Sequence, residues 1–170
     1  AHVAVCIIHE PIVTWQDYDG LGRVIYSVRN AGDSLNPAPD KEATAYCYDD
    51  AGRLIAMAAL LPDYGTITPG TQIPCTSTGT AVTCSIAAGT AQVTGFVYGA
   101  EVVDHGGSVI SAHNGWIKSV HYPDQATGLP KADPDLLFQY YSDGAVATRT
   151  DAKGNRFTYH YDELGRLTQT

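Results

Sequence analysis

The groups in this sequence that could do chemistry are its carboxylates, imidazoles and thiols, and their spacing narrows what they do. Asp19, Asp49 and Asp162 each stand four residues ahead of an arginine, namely Arg23, Arg53 and Arg166. A carboxylate beside a guanidinium can orient a substrate or steady a proton-transfer group. An active site is not expected to recur three times along one polypeptide, however, so the repetition points to a turn. We expect each pair to lie in solvent and to orient its turn more than it stabilises the fold. The six histidines (His2, His9, His105, His113, His121 and His160) show no H-x-x-x-H spacing and no pairing with a C-x-x-C. No nucleophile elbow, phosphate loop or dinucleotide fingerprint occurs. The expectation is a protein that is not an enzyme and uses neither metal nor cofactor.

The repeated stretches are Tyr18-Asp19-Gly20-Leu21-Gly22-Arg23-Val24, Tyr48-Asp49-Asp50-Ala51-Gly52-Arg53-Leu54 and Tyr161-Asp162-Glu163-Leu164-Gly165-Arg166-Leu167. A shorter D-x-x-G recurs at 104–107 and 151–154. Aspartate opening such a turn accepts a main-chain N–H two residues on, and glycine supplies the positive φ that closes the loop. A type I turn followed by a left-handed glycine is a common hairpin loop with a bulge. Each copy therefore reads as a hairpin corner, with tyrosine ending one strand and the Arg-Leu or Arg-Val pair opening the next. Gly22, Gly52 and Gly165 are the expected left-handed positions. Between Arg156 and Tyr161 aromatic and polar residues alternate, the period of a strand. Tyr122, Tyr141 and Tyr161 are spaced by 19 and 20 residues, about one hairpin each. His121 and His160 precede a tyrosine and should face away from the aromatic stripe. Leu54 to Leu61 has a helical composition, but it follows a corner and is read as a strand.

Composition agrees with an all-β protein. Eleven Tyr, 17 Gly and a charged fraction of only 16% suit a pleated, half-wet surface better than a helical core. A net charge of −8 with scattered basic residues argues against nucleic-acid binding. No apolar run has the length of a membrane span. The sequence starts at Ala1 with no Met and no leader, so a processed or excised piece is expected. Residues 62–95 are rich in Thr and Gly and read as an insertion within a single domain spanning 1–170. Counting outward from Gly79-Thr80 as a two-residue loop places Cys75 opposite Cys84, which implies a disulfide-clasped hairpin. By elimination Cys6 and Cys47 form a second pair. Four cysteines of this kind fit an oxidising compartment.

The Y-D-x-x-G-R-[VL] copies resemble the YD repeats of the RHS family, which includes bacterial wall-associated proteins, cocoon-forming toxin-complex subunits and teneurins. The resemblance covers residues 15–60 and 96–170. It implies an antiparallel ribbon of hairpins forming part of a spiral sheet or shell, located outside the cell or at its surface. The partners it implies are further YD repeats of the same or identical chains, with an enclosed polypeptide or a surface carbohydrate as ligand. Exposed tyrosines could stack on sugars, but cross-strand aromatic ladders are the favoured reading. The family's Asp-Pro-x-Gly-Leu self-cleavage motif is not matched by Asp133-Pro134-Asp135-Leu136-Leu137 or by residues 124–129.

Overall fold

The computed structural model describes residues 14–29 and 42–170. Cys6, His2, His9 and Asn30-Ala31-Gly32, a turn signal by residue type, lie outside them. The fold is all-β. The strands are β1 (Thr14–Tyr18), β2 (Val24–Arg29), β3 (Glu42–Tyr48), β4 (Leu54–Leu60), β5 (Cys75–Ser77), β6 (Val82–Cys84) and β7 (Ala91–Val103). They continue with β8 (Val109–His121), β9 (Leu136–Tyr140), β10 (Val146–Asp151), β11 (Arg156–Thr158), β12 (His160–Tyr161) and β13 (Leu167–Gln169). Nine form one sheet in the order β1-β2-β3-β4-β7-β8-β9-β10-β11, while β5–β6 and β12–β13 are separate hairpins. Up-and-down connectivity places the β1–β2, β3–β4, β7–β8 and β9–β10 turns along one margin of the sheet. The longer connections run along the other.

Residues 54–60 form a strand despite their helical composition, because β3 and β7 pair with them from both sides. Alternation then separates buried Ala56, Ala58 and Leu60 from exposed Met57 and Ala59. Ala43, Ala45 and Cys47 of β3 and Ala91 and Val93 of β7 join the same buried cluster. The segment between β4 and β7 covers this face with Ile67, Ile73 and Val82. Small residues allow the close approach, since a Cβ on Gly95 would lie 2.9 Å from the Cβ of Val82. The β5–β6 hairpin has the expected register, Cys75↔Cys84, Thr76↔Thr83 and Ser77↔Val82, and Cys75 and Cys84 are disulfide-bonded. It lies against β4 and β7, and β7 already begins at Ala91, inside the stretch read as insertion. Gln72 from the same segment accepts from Tyr48 N at 3.0 Å and donates to Tyr48 O at 3.1 Å.

Two local readings are corrected. Asn114-Gly115, a turn signal by residue type, is not a turn. It lies within β8, where register shifts leave residues 114–116 as a bulge between the pairs Ala100↔His113 and Tyr98↔Ile117. The alternating stretch 156–161 is not one strand, because Tyr159 turns its N–H to Ala147 O and separates β11 from β12. His121 is completely buried, with Nε2 2.9 Å from Ser119 Oγ and Nδ1 2.9 Å from Lys131 O.

The 122–135 connection is tied to β7 by Val93 N donating to Gly128 O at 2.7 Å. Asp124 caps its turn by accepting from Ala126 N and Thr127 N, and Asp135 accepts from Tyr122 N and Lys131 Nζ. Gly128 has φ +72°, and a Cβ there would lie 2.0 Å from Ala91 O. Gly128→Ala should therefore lower the unfolding free energy by about 2–4 kcal/mol, the left-handed penalty plus overpacking. Gly89→Ala, with φ +80° but open space around it, should lose only about 1–2 kcal/mol. Urea unfolding of both variants beside the parent measures the difference.

Candidate functional site

The recurring geometry of this molecule is the hairpin corner, and the backbone builds it six times among the described residues. At Asp49 the main-chain N–H donates to Arg53 O at 3.0 Å, and Gly52 N–H returns to Asp49 O at 2.9 Å. Gly52 has φ +79°, the angle its loop position requires. Asp49 Oδ1 accepts Arg53 N at 2.9 Å, and Oδ2 accepts Arg53 Nε at 2.7 Å. Asp19 with Gly22 and Arg23, and Asp162 with Gly165 and Arg166, repeat these bonds. Asp151 does so with Asn155, whose Nδ2 takes the arginine's place at 2.8 Å. Asp104 keeps the main-chain bonds, with Ser108 in that position.

The sixth corner is hidden in the sequence. Tyr141 N donates to Ala145 O and Gly144 N to Tyr141 O, with Tyr140 paired to Val146 across the hairpin mouth. Tyr140 is thus the repeat tyrosine, not Tyr141. Tyr141 occupies the aspartate position and Ala145 the arginine position. The surviving signal is Tyr140-x-x-x-Gly144-x-Val146, too short to separate from chance without its neighbours.

Corners are joined to the next hairpin along the sheet. The Arg23 guanidinium lies 4.6 Å above the centre of the Tyr48 ring, and Tyr48 OH donates to Val24 O at 3.0 Å. Arg53 lies 4.9 Å above Tyr98, whose hydroxyl donates to Leu54 O at 3.0 Å. Tyr140 OH donates to Ile117 O at 3.0 Å, with Trp116 filling the arginine's place 5.1 Å from the Tyr140 ring. Tyr161 OH donates to Val146 O at 3.2 Å and meets Tyr141 edge to face. Tyr48, Tyr98 and Tyr161 thus satisfy the carbonyl just past the preceding corner, and Tyr140 satisfies one within the long strand β8. Arginine stacking stands in for an aromatic contact at Tyr48 and Tyr98, while Trp116–Tyr140 and Tyr141–Tyr161 are aromatic pairs. Between Asp104 and Tyr98 the β7–β8 hairpin is lengthened, so its Asp104 corner projects beyond the line of the seam.

The Asp–Arg pairs are less exposed than expected: the side chains of Asp49 and Arg53 keep 17% and 34% of their accessibility, against 74% for Arg166. Burial raises the Asp49 carboxyl, but the hydrogen bonds and charge of Arg53 outweigh it and hold the group below its usual value of 3.8. Main-chain N–H donation from Arg23 and from Arg166 lowers Asp19 and Asp162. Burial raises the phenols of Tyr48, Tyr98, Tyr140 and Tyr161, which keeps them as donors. Cys47 is buried, its thiol raised by burial and directed at Cys75 O. It makes no disulfide within the described residues, and the expected partner Cys6 lies outside them. Among the described residues no group of three or more His, Cys, Asp or Glu is placed to hold a metal ion, and no helix is long and apolar enough to cross a membrane.

Recurring glycine-closed corners, of which those at Asp19, Asp49 and Tyr141 are locked to the tyrosine of the next hairpin, define a hairpin-repeat β-ribbon. Residues 140–170 match the family model described as RHS Repeat. The matched segment contains the Tyr140 and Tyr161 corners, and those at Tyr18 and Tyr48 repeat the same bonds upstream. No curated protein matches the sequence.

Depressed carboxylates contribute stability that is full above their unfolded value and lost as pH falls through the lower folded one. The urea midpoint should be flat from about pH 7 to pH 5 and fall below about pH 4. Asp49→Asn should cost about 1–2 kcal/mol at neutral pH and make the acid limb shallower. A pH series of urea melts on both proteins measures this.

Proposed function

We propose that this protein is a non-enzymatic structural module, working outside the cell or at its surface as part of an RHS-like shell or wall. The reading is supported above all by the two ends of the tyrosine seam. Tyr18 is the first repeat tyrosine of the described residues, and its hydroxyl donates to Gln16 Oε1 rather than to a preceding corner. At the other end Arg166 is largely exposed, with no ring over it among the described residues. One end thus offers a tyrosine and the other an arginine and a carbonyl. These are the two halves of the contact that joins repeats inside the molecule. Further YD repeats, of this polypeptide or of an identical one, are the partners that complement them.

If identical copies supply the repeats, the module is a fibre subunit, since end-to-end contacts that do not close give filaments. Sedimentation and electron microscopy across a concentration series separate the two forms. Filaments weakened about tenfold by Tyr18→Ala and by Arg166→Ala indicate seam-mediated assembly, one stacking contact and one hydrogen bond per junction. Filaments indifferent to both variants contradict it, and a protein that stays monomeric leaves the shell module. A carbohydrate-binding role has one observation in its favour: a cavity of about 270 Å³ lined by Glu101, Lys118, Phe138, Gln139, Thr148 and Arg156, which offers charge beside an aromatic ring. A glycan array tests that role.

A further inference from the structure

We propose that Asn114 is a site of self-catalysed deamidation, with the His113 imidazole as its base. Asn114-Gly115 is the one Asn-Gly pair in the sequence. Glycine after asparagine leaves the backbone nitrogen unhindered, so that this nitrogen can attack the side-chain amide once its proton is removed. Gly115 N–H donates to His113 Nδ1 at 3.1 Å. The ring nitrogen that accepts this bond is already directed at the proton that must leave. Stacking on Trp116, with ring centres 4.2 Å apart and planes 18° from parallel, holds it there. His113, Asn114 and Gly115 are all exposed, which admits water. The bulge also matters, because residues 114–116 have no cross-strand partner in the β7–β8 register that closure of a ring would have to break.

In the first step His113 Nδ1 takes the Gly115 amide proton while that nitrogen bonds to Asn114 Cγ. The tetrahedral centre collapses by expelling Nδ2, which recovers the proton from the imidazolium and leaves as ammonia. The product is a five-membered imide. One water then opens it at either carbonyl, giving aspartate if the bond from nitrogen to Cγ breaks and isoaspartate if the original peptide bond breaks. The imidazole emerges unchanged, with one water consumed and one ammonia released.

Arg53 biases the second step. Its Nη1 donates to the backbone oxygen of Asn114. That oxygen becomes part of a free carboxylate only in the isoaspartyl product, and a guanidinium on a carbonyl oxygen stabilises the negative charge that develops there when water adds. Isoaspartate should therefore be the major product, formed against the arginine of the second corner. The extra methylene it inserts into the backbone falls in the bulge.

The test is prolonged incubation of the folded full-length protein in neutral buffer, followed by peptide mapping and enzymatic methylation of isoaspartate. Asn114 should convert to acid, mostly isoaspartate. His113→Phe, which keeps an aromatic ring against Trp116, should slow conversion by roughly tenfold or more, and Arg53→Met should lower the isoaspartate share. Circular dichroism confirms that the variants are folded. An Asn114 that stays intact while the urea-unfolded protein deamidates would overturn the proposal, as would equal rates in parent and His113→Phe.

Discussion

The rest of the structure depends on a bond from a tyrosine hydroxyl to a backbone carbonyl of the preceding hairpin. The register shift beside the Asp49 corner, between Cys47 and Tyr48 opposite Leu54, takes one residue out of step with its neighbour strand. An orphaned carbonyl in a half-buried position costs about 1–3 kcal/mol. The tyrosine of the following hairpin reaches back and donates its hydroxyl to Val24, Leu54, Ile117 or Val146. The phenol must stay protonated and half-buried for this, and burial raises it accordingly. Phenylalanine would supply the ring without the donor, which gives a physical reason for 11 Tyr against 3 Phe.

The arginine works from both sides of that bond. It closes its own corner by pairing with aspartate, and it covers the next tyrosine ring, so one side chain fixes a turn and a junction together. Where arginine is missing, the fold substitutes by geometry rather than by charge: Trp116 packs at a tilt against Tyr140, and Asn155 bonds Asp151. The corner thus tolerates change in its side chains provided that the glycine is kept, as at Gly107, Gly144 and Gly154. Stability comes along the ribbon as a series of neighbour contacts, with the face under the disulfide hairpin supplying the largest buried cluster.

Much of this was legible from residue spacing. The corners at Asp19, Asp49 and Asp162 follow from turn chemistry alone, and the Cys75↔Cys84 register follows from a two-residue loop. Strand β4 was recoverable only because it follows a corner, since its composition favours a helix. The Tyr140 corner escaped because Tyr141 and Ala145 replace the two residues that carry the motif's signal. The lengthened β7–β8 hairpin escaped because Asn114-Gly115 is a common turn pair, whereas here the turn is made at Asp104 and the pair is left as a bulge. Burial of His121 depends on the 122–135 connection folding back to offer Lys131 O, a contact that strand periodicity does not reveal. The reach of each tyrosine to a carbonyl in the previous hairpin is likewise a property of the sheet order and not of any local string.

The most direct test of the account removes one oxygen atom. Tyr98→Phe keeps the ring beneath Arg53 but deletes the donor to Leu54 O, whereas Tyr18→Phe deletes a hydroxyl that serves only exposed Gln16. Equilibrium urea unfolding should show Tyr98→Phe less stable than the parent by about 1–3 kcal/mol, and Tyr18→Phe unchanged within a few tenths. Identical midpoints for Tyr98→Phe and the parent would contradict the claim that the tyrosine hydroxyl is what joins one repeat to the next.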